Sequence, residues 1–346
     1  MVKSRTAMRA LACVVAAASL VVAACGSDDS GSTAASSGGT SSGTATPAKM
    51  TTVRVVGAGG IKQGAYIWDL YAAIDEGFFK NHGIEAKVIA VDNGALSVQA
   101  LAADAADVAG PISADSFING IDANAPITLA GFTQSAQGQF IAKQEIKDWA
   151  DLKGKKIGSS TPALTGSDIY MMQMLQEHGL QKGDVHITSL GASNAKVQAM
   201  KTGAVDATML SAPYNQVALE GGKDHVLGST WDSPTTSWPF IGIGFSKSFE
   251  SKNPAAAKGF MAAMQEAHDW LLDPANKDKA TALLSKYTDA SPSSADATYK
   301  TVFTDGKSLI SKVGVTDEQL SALLQAMGKP NDASALAKYN NSIVNK

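Results

Sequence analysis

The stretch DLKGKKIGSSTPALTGSDIYMMQMLQEHG, Asp151 to Gly179, runs through a turn, a strand, a loop and a helix in twenty-nine residues. Lys155-Lys156-Ile157-Gly158 is a short apolar step out of a basic turn, and Ser159 to Ser167 is almost entirely small, hydroxylated, Gly or Pro. Such side chains satisfy the backbone locally and bury little, which is loop chemistry. Ile169, Met172 and Leu175 then fall at helical spacing, with Thr165 or Ser167 as N-cap and Gly179 just past the C-terminus. A strand that feeds a hydroxyl-rich loop into a helix leaves backbone N–H groups and the positive end of the helix dipole facing the loop. This is the outline of a ligand cradle; it is also that of an ordinary βα loop.

Upstream, Thr52 to Val56 predicts a strand, Gly57 to Gly64 a glycine-rich loop, and Ile67 to Glu76 an apolar helix ending at Gly77. The loop fails as a dinucleotide fingerprint, because Lys62 stands where the third glycine belongs. Ile84 to Val91 is the next strand, Ala95 to Ala103 a helix, and Asp107-Val108-Ala109 starts another strand. Strands alternating with helices predict an α/β fold with mainly parallel sheets flanked by helices. An ungapped internal echo pairs Gln99-Ala100-Leu101 and Asp107-Val108 with Gln198-Ala199-Met200 and Asp206-Ala207, each preceded by an Asn, Asn93 or Asn194. In each copy the Gln-Ala-Leu or Gln-Ala-Met triplet is expected on the buried face, and the turn residue is Asp104 in one and Gly203 in the other.

The echo predicts two similar lobes. Pro126 to Gly131 and Gln139 to Ala142 would carry the chain from one to the other, and Phe240 to Phe245 would bring it back. Lobe one is expected over 51–133 plus 240–346, and lobe two over 134–239. Beyond the return the pattern is helical over 254–272, 278–287, 296–313 and 316–327. Ligands of open α/β sheets gather outside the carboxyl ends of the strands, here in the cleft between the lobes.

Charge is modest, 29 Lys+Arg against 32 Asp+Glu, with arginine only at Arg5, Arg9 and Arg54. No basic stripe argues for nucleic acid. Cys13 and Cys25 are the only cysteines, so residues 26–346 hold no thiol for a disulfide, a metal site or nucleophilic catalysis. Lys3, Arg5 and Arg9 precede the apolar run LACVVAAASLVVAA, which reads as an export signal over 1–24. Val22-Ala23-Ala24-Cys25-Gly26 resembles a bacterial lipobox, which would make Cys25 the acylated N-terminus and residues 25–50, rich in Gly, Ser, Thr and Ala, a flexible tether. Removal of 1–24 leaves 26 basic against 32 acidic residues.

Taken in order, Glu76-Gly77-Phe78-Phe79, His82-Gly83-Ile84-Glu85, Gln99-Ala100-Leu101-Ala102 with Asp107-Val108, Asp151 to Gly158, and Gly203-Ala204-Val205-Asp206-Ala207 resemble a known group. It is the nitrate/sulfonate/taurine and thiamine-pyrimidine-precursor group of solute-binding proteins, and the resemblance runs from about Val53 to Phe249. One departure is Asp104, where that group often has Gly. The resemblance implies a two-lobed, type II periplasmic-binding-protein fold that delivers a small solute to an ABC permease and its ATPase. It further implies an extracytoplasmic, lipid-anchored monomer that is not an enzyme and uses no cofactor. Pyrimidine synthases of thiamine biosynthesis share the fold, but they need a cysteine-rich iron motif that residues 26–346 lack. His82, His178, His186, His225 and His268 fall at no ligand spacing, so no metal is expected. A sensing or scaffolding lipoprotein is a third reading. The expected cleft residues are Gln63, Tyr66, Trp68, Asn93, Ser113, Thr161, Thr165, Asn194, Ser211, Tyr214 and Trp238. No arginine accompanies them and Lys62 is the one obvious cation. This leaves a sulfonate-like anion, held by helix N-termini and hydroxyls, or a nitrogen or aromatic heterocycle stacked on Trp or Tyr.

Overall fold

A computed structural model describes residues 50–58, 64–91, 93–164, 166–233, 238–288, 290–305 and 308–345. The signal-like segment, Cys25, nearly all of the tether, Lys62, Gln63 and Thr165 lie outside the described residues. The chain enters on β1 (Thr51–Ala58), passes through α1 (Trp68–Asp75) and α2 (Phe78–Asn81), and returns as β2 (Ile84–Val91), parallel to β1. A second crossover, α3 (Gly94–Ala102), delivers β3 (Val108–Ser113) to the other side of β1. Then come α4 (Asp115–Asp122), β4 (Ile127–Ser135) and β5 (Gly138–Lys143). The second run of βα units is β6 (Lys156–Ser159), α5 (Ser167–Glu177), β7 (His186–Ser189), α6 (Ser193–Thr202), β8 (Ala207–Ser211), α7 (Tyr214–Leu219) and β9 (Asp224–Ser229). β10 (Pro239–Ser246) leads back, followed by α8 (Lys247–Lys252), α9 (Pro254–Leu272), α10 (Lys277–Thr288), α11 (Pro292–Tyr299), β11 (Leu309–Gly314), α12 (Asp317–Ala326) and α13 (Ala333–Tyr339).

The strands form two sheets, β11-β4-β10-β3-β1-β2 and β7-β6-β8-β5-β9. They are mixed, not mainly parallel: two of the five pairings in the first and two of the four in the second are parallel. Parallel order needs a crossover for each strand. The strands that pass directly between sheets, β4, β5 and β10, carry none and pair antiparallel.

The internal echo is structural. Asp107 donates its N–H to Arg54 O (2.9 Å) and accepts the Arg54 N–H on Oδ2 (2.8 Å). Asp206 does the same to Lys156, at 2.8 and 2.9 Å. The next residues pair in the same way, Val55 with Val108 and Ile157 with Ala207. The turns before them are left-handed at Asp104 (φ 53°) and Gly203 (φ 74°). Aspartate tolerates that region better than most side chains, which is why Asp104 can stand for glycine. The triplets are placed differently from expectation: Leu101, Ala199 and Met200 are buried, whereas Gln99 and Gln198 are exposed, because only the apolar members face the sheet.

Three further expectations change. Residues 296–313 are not one helix, since the chain leaves α11 through a π-helical turn over Lys300–Asp305 and returns as β11, antiparallel to β4. All but the last residue of β4 is buried, so its outer edge needs a partner, and β11 supplies it. α4 has no counterpart among the expected elements; Phe117, Ile118 and Ile121 bury one face of it, and a Cβ at Gly120 would stand 2.6 Å from Val98 Cγ1. α13, also unforeseen, is fastened to α4. Although burial opposes it, hydrogen bonds from Lys329, Lys338 and Tyr339 hold the Asp122 carboxyl well below the usual carboxylate range.

One apolar cluster runs from Val98, Leu101 and Leu129 in the first sheet's layers through Phe132, Phe140, Tyr170 and Trp238 to Ile157, Met174 and Leu175 in the second's. A second holds α1, α9 and α10 on the opposite face of the first sheet. In it, Asp69 and His268 are wholly buried and joined at 3.0 Å, with His268 Nδ1 on Ile310 O at 2.8 Å.

Candidate functional site

The carboxyl ends of β3 and β6 come together. Past β3, Ser113 Oγ donates to the Asp115 carboxylate, and the other Asp115 oxygen receives the Gly166 N–H at 3.4 Å, from the loop before α5. This bond joins the layers of the two sheets. A second contact lies past β1 and β8, where Ala65 N–H donates to Ala212 O (3.0 Å). Gln134 Nε2, at the end of β4, fastens Tyr66 O at 2.9 Å.

The loop after β6 is closed from within. The N-cap of α5 is Gly166, without a side-chain cap, and Ser167 is the first residue of the helix, not its cap. Instead Asp168 turns back and accepts the Ser160 N–H (2.9 Å to each oxygen) and the Thr161 N–H (2.9 Å). Those N–H groups belong to the loop itself, at the carboxyl end of β6, and not to the N-terminus of α5. A short-range carboxylate wins them because it carries a full charge at the positive end of the helix dipole. Asp168 is wholly buried, and burial raises its pKa against the opposing pull of Lys196 and the loop N–H groups. Lys196, in the first turn of α6, is 2% exposed and donates to Ser160 Oγ (3.1 Å) and Met209 O (2.8 Å). Burial lowers its pKa to about 8, with Asp168 pulling the other way.

Tyr170 of α5 fills the space between the layers. Its ring stacks on Trp238 (centroids 4.1 Å, 12°) and meets Phe240 edge-on (5.0 Å, 75°). Trp238 Nε1 donates to Gln173 Oε1 at 3.3 Å. The Tyr170 hydroxyl is buried and has no hydrogen-bond partner among the described residues. Burial, then the Asp115 charge, raises its pKa well above the ordinary value. Asp115 is 4% exposed, and burial raises its pKa too.

Of the expected residues, Ser113, Thr161 and Trp238 gather around Asp115, Asp168 and Tyr170. Tyr66 and Tyr214 flank the Ala65–Ala212 contact, and Ser211 ends β8 beside it. Trp68 is not in a cleft: it is wholly buried in α1, its Nε1 on Ala280 O (2.9 Å) and its ring against Phe303 and Tyr299. α10 and α11 cover that face of the first sheet and claim the indole. Asn93 is an exposed N-cap of α3. Asn194 is exposed inside α6, accepting its neighbour's N–H. The sequence reading passed over Asp115, Asp168, Tyr170 and Lys196. The signal it could have used is an acidic residue in the first helical turn after a strand's carboxyl end, which occurs after both β3 and β6. Among the described residues no group of three His, Cys, Asp or Glu is placed to hold a metal ion.

Two sheets flanked by helices, meeting at their strands' carboxyl ends and joined by direct strand crossings, define the periplasmic-binding-protein fold. The fold aligns with the periplasmic aliphatic sulphonate-binding protein SsuA of Escherichia coli (TM-score 0.65, 20% identity, 80% of this chain and 85% of that one). It aligns equally with the periplasmic nitrate-binding protein NrtA of Synechocystis PCC 6803 (TM-score 0.65, 16% identity, 85% and 86%). The chain belongs to the NMT1/THI5-like family, whose profile matches residues 65–277. A Brucella abortus protein provisionally named a binding protein is 27% identical over 248 residues, 69% of this chain and 72% of that relative. A Bacillus subtilis protein provisionally named binding protein YtlA is 24% identical over 231 residues, 64% and 68%.

Proposed function

We propose that this chain is the extracytoplasmic solute-binding component of an ABC importer, which captures a small organic solute between two lobes and hands it to a permease driven by an ATPase. The observation that carries the reading is the meeting of loops from both sheets at Asp115 and Gly166, with a buried Tyr170 hydroxyl that has no partner among the described residues on the helix Gly166 opens. The lobes are residues 51–133 plus 240–346 and 134–239, a division supported by the membership of the two sheets. Capture and release need no bond to be made or broken, and no enzymatic role, cofactor or second copy of the chain enters the reading. Of the two chemistries open in the sequence, a sulfonate-like anion and a nitrogen or aromatic heterocycle, the arrangement favours the second, because it gathers the buried carboxylates Asp115 and Asp168 with the stacked rings of Tyr170 and Trp238. Cys25, acylated, would hold the protein at a membrane through the tether.

A ligand at a hundred times its dissociation constant stabilises a protein by about 2.7 kcal/mol. That raises the melting temperature by several degrees. A thermal-shift screen of amines, pyrimidines, flavins, aromatic carboxylates and sulfonates should give a hit whose shift shrinks in Ser113→Ala and Thr161→Val. Turnover of a hit by the purified protein would sink the binding-protein reading. Cys25→Ala should move the protein from the membrane to the soluble fraction; an unchanged distribution rules out acylation as its anchor.

A further inference from the structure

We propose that the cleft selects a solute bearing a protonated nitrogen, an organic ammonium or amidinium, which sits on the Asp115 carboxylate and the Tyr170 hydroxyl, and that it rejects anions. The inference rests on the solute-binding reading and narrows it.

Three observations carry it. First, Asp115 is a buried carboxylate that no cationic side chain among the described residues pairs with. Among the described residues it accepts the Ser113 hydroxyl, its own backbone N–H and a long bond from Gly166, none of them charged, on a group that can accept about four bonds. A buried charge without a partner is costly, and a cationic ligand is the partner that the protein itself does not supply. Second, the Tyr170 hydroxyl is buried without a partner among the described residues, and Tyr170 stands one turn of α5 beyond Gly166, the N-cap whose N–H reaches Asp115. Trp238 and Phe240 fix the ring, so the hydroxyl cannot swing out to water. An N–H group between the two would bond the carboxylate on one side and the hydroxyl oxygen on the other. Third, the loop N–H groups and the lysine beside them are already engaged. Asp168 holds the Ser160 and Thr161 N–H groups, and the Lys196 ammonium is committed to Ser160 Oγ and Met209 O. Two carboxylates against one lysine make the described part of the cleft unfavourable to a sulfonate. Lys62 lies outside the described residues.

The test uses four probes on one ring: benzylamine, benzamidine, benzyl alcohol and benzenesulfonate, each at millimolar concentration. Melting temperature and calorimetric affinity are measured for the wild type, Asp115→Asn and Tyr170→Phe. Benzylamine or benzamidine should stabilise the wild type, benzyl alcohol less, and benzenesulfonate not at all. Asp115→Asn should weaken the amine at least about tenfold, as expected for loss of a buried charge-assisted bond. Tyr170→Phe, which removes only the hydroxyl, should weaken it several-fold with an unliganded melting temperature at or above that of the wild type. Stabilisation by benzenesulfonate, or amine binding that survives both variants, overturns the inference and leaves the solute-binding reading standing. Silence from all four probes overturns the inference. If the broader screen is silent as well, the solute-binding reading falls with it.

Discussion

Lys196 offers a sharp test of how dry the cleft floor is. Its ammonium is 2% exposed and titrates at about 8 instead of 10.5, because burial disfavours the charged form more than Asp168 favours it. Between those two values the unfolded chain binds a proton that the folded chain has released, so the stability contributed at this position rises with pH. Full development of a shift of this size amounts to about 3 kcal/mol. Lys196→Met keeps the length of the side chain and removes the charge, so the variant lacks this slope. Urea unfolding of both proteins, stepped from neutral pH to about pH 10, isolates it as the difference between the two curves. That difference should grow in favour of the wild type by roughly 2 kcal/mol from pH 8 to pH 10, whatever its value at neutral pH. A flat difference would refute the reasoning: the ammonium would then ionise as it does in water, and the floor beneath Ser160 would be wet.

The two aspartates of the structural repeat should differ in weight. Asp107→Ala loses three bonds to Arg54, at 2.6, 2.8 and 3.0 Å, and should cost about 2–3 kcal/mol; Asp206→Ala loses one good bond and a 3.5 Å contact to Lys143, for about 1 kcal/mol. Equal costs in denaturant unfolding would mean that the backbone bonds alone matter. His268→Leu leaves the Asp69 carboxylate buried without its partner and should cost about 3–5 kcal/mol, while Asp69→Leu/His268→Leu should recover part of that loss. Strictly additive costs would show that the pair is not coupled.

Elements whose signal is local were legible in the sequence. Ile84–Val91 and Pro254–Leu272 stand where periodicity and a leading proline put them, and Gly179 ends its helix with φ 78°. β11 was not legible, because its strand character comes from the exposed edge of β4, far away in sequence. The site divides along the same line. Ser113, Thr161 and Trp238 follow from the rule that loops at strand ends build clefts. Nothing local separates Trp238 from Trp68, whose fate is decided by Tyr299 and Phe303 at the far end of the chain. Asp168 reversed the expected chemistry of its loop, and only its geometry reveals that.

The order of strands sets an order of events. β10 lies between β4 and β3, so the first sheet keeps an open slot between strands made early until residues 239–246 arrive, and its outer edge stays bare until β11. The second sheet draws on residues 138–229 alone and can close first. Contacts spanning so much chain are slow to form. While residues 138–229 are being made, a nascent chain therefore carries a half-built first sheet with unpaired edges at β3 and β4, and residues 239–314 act as the clasp that completes it.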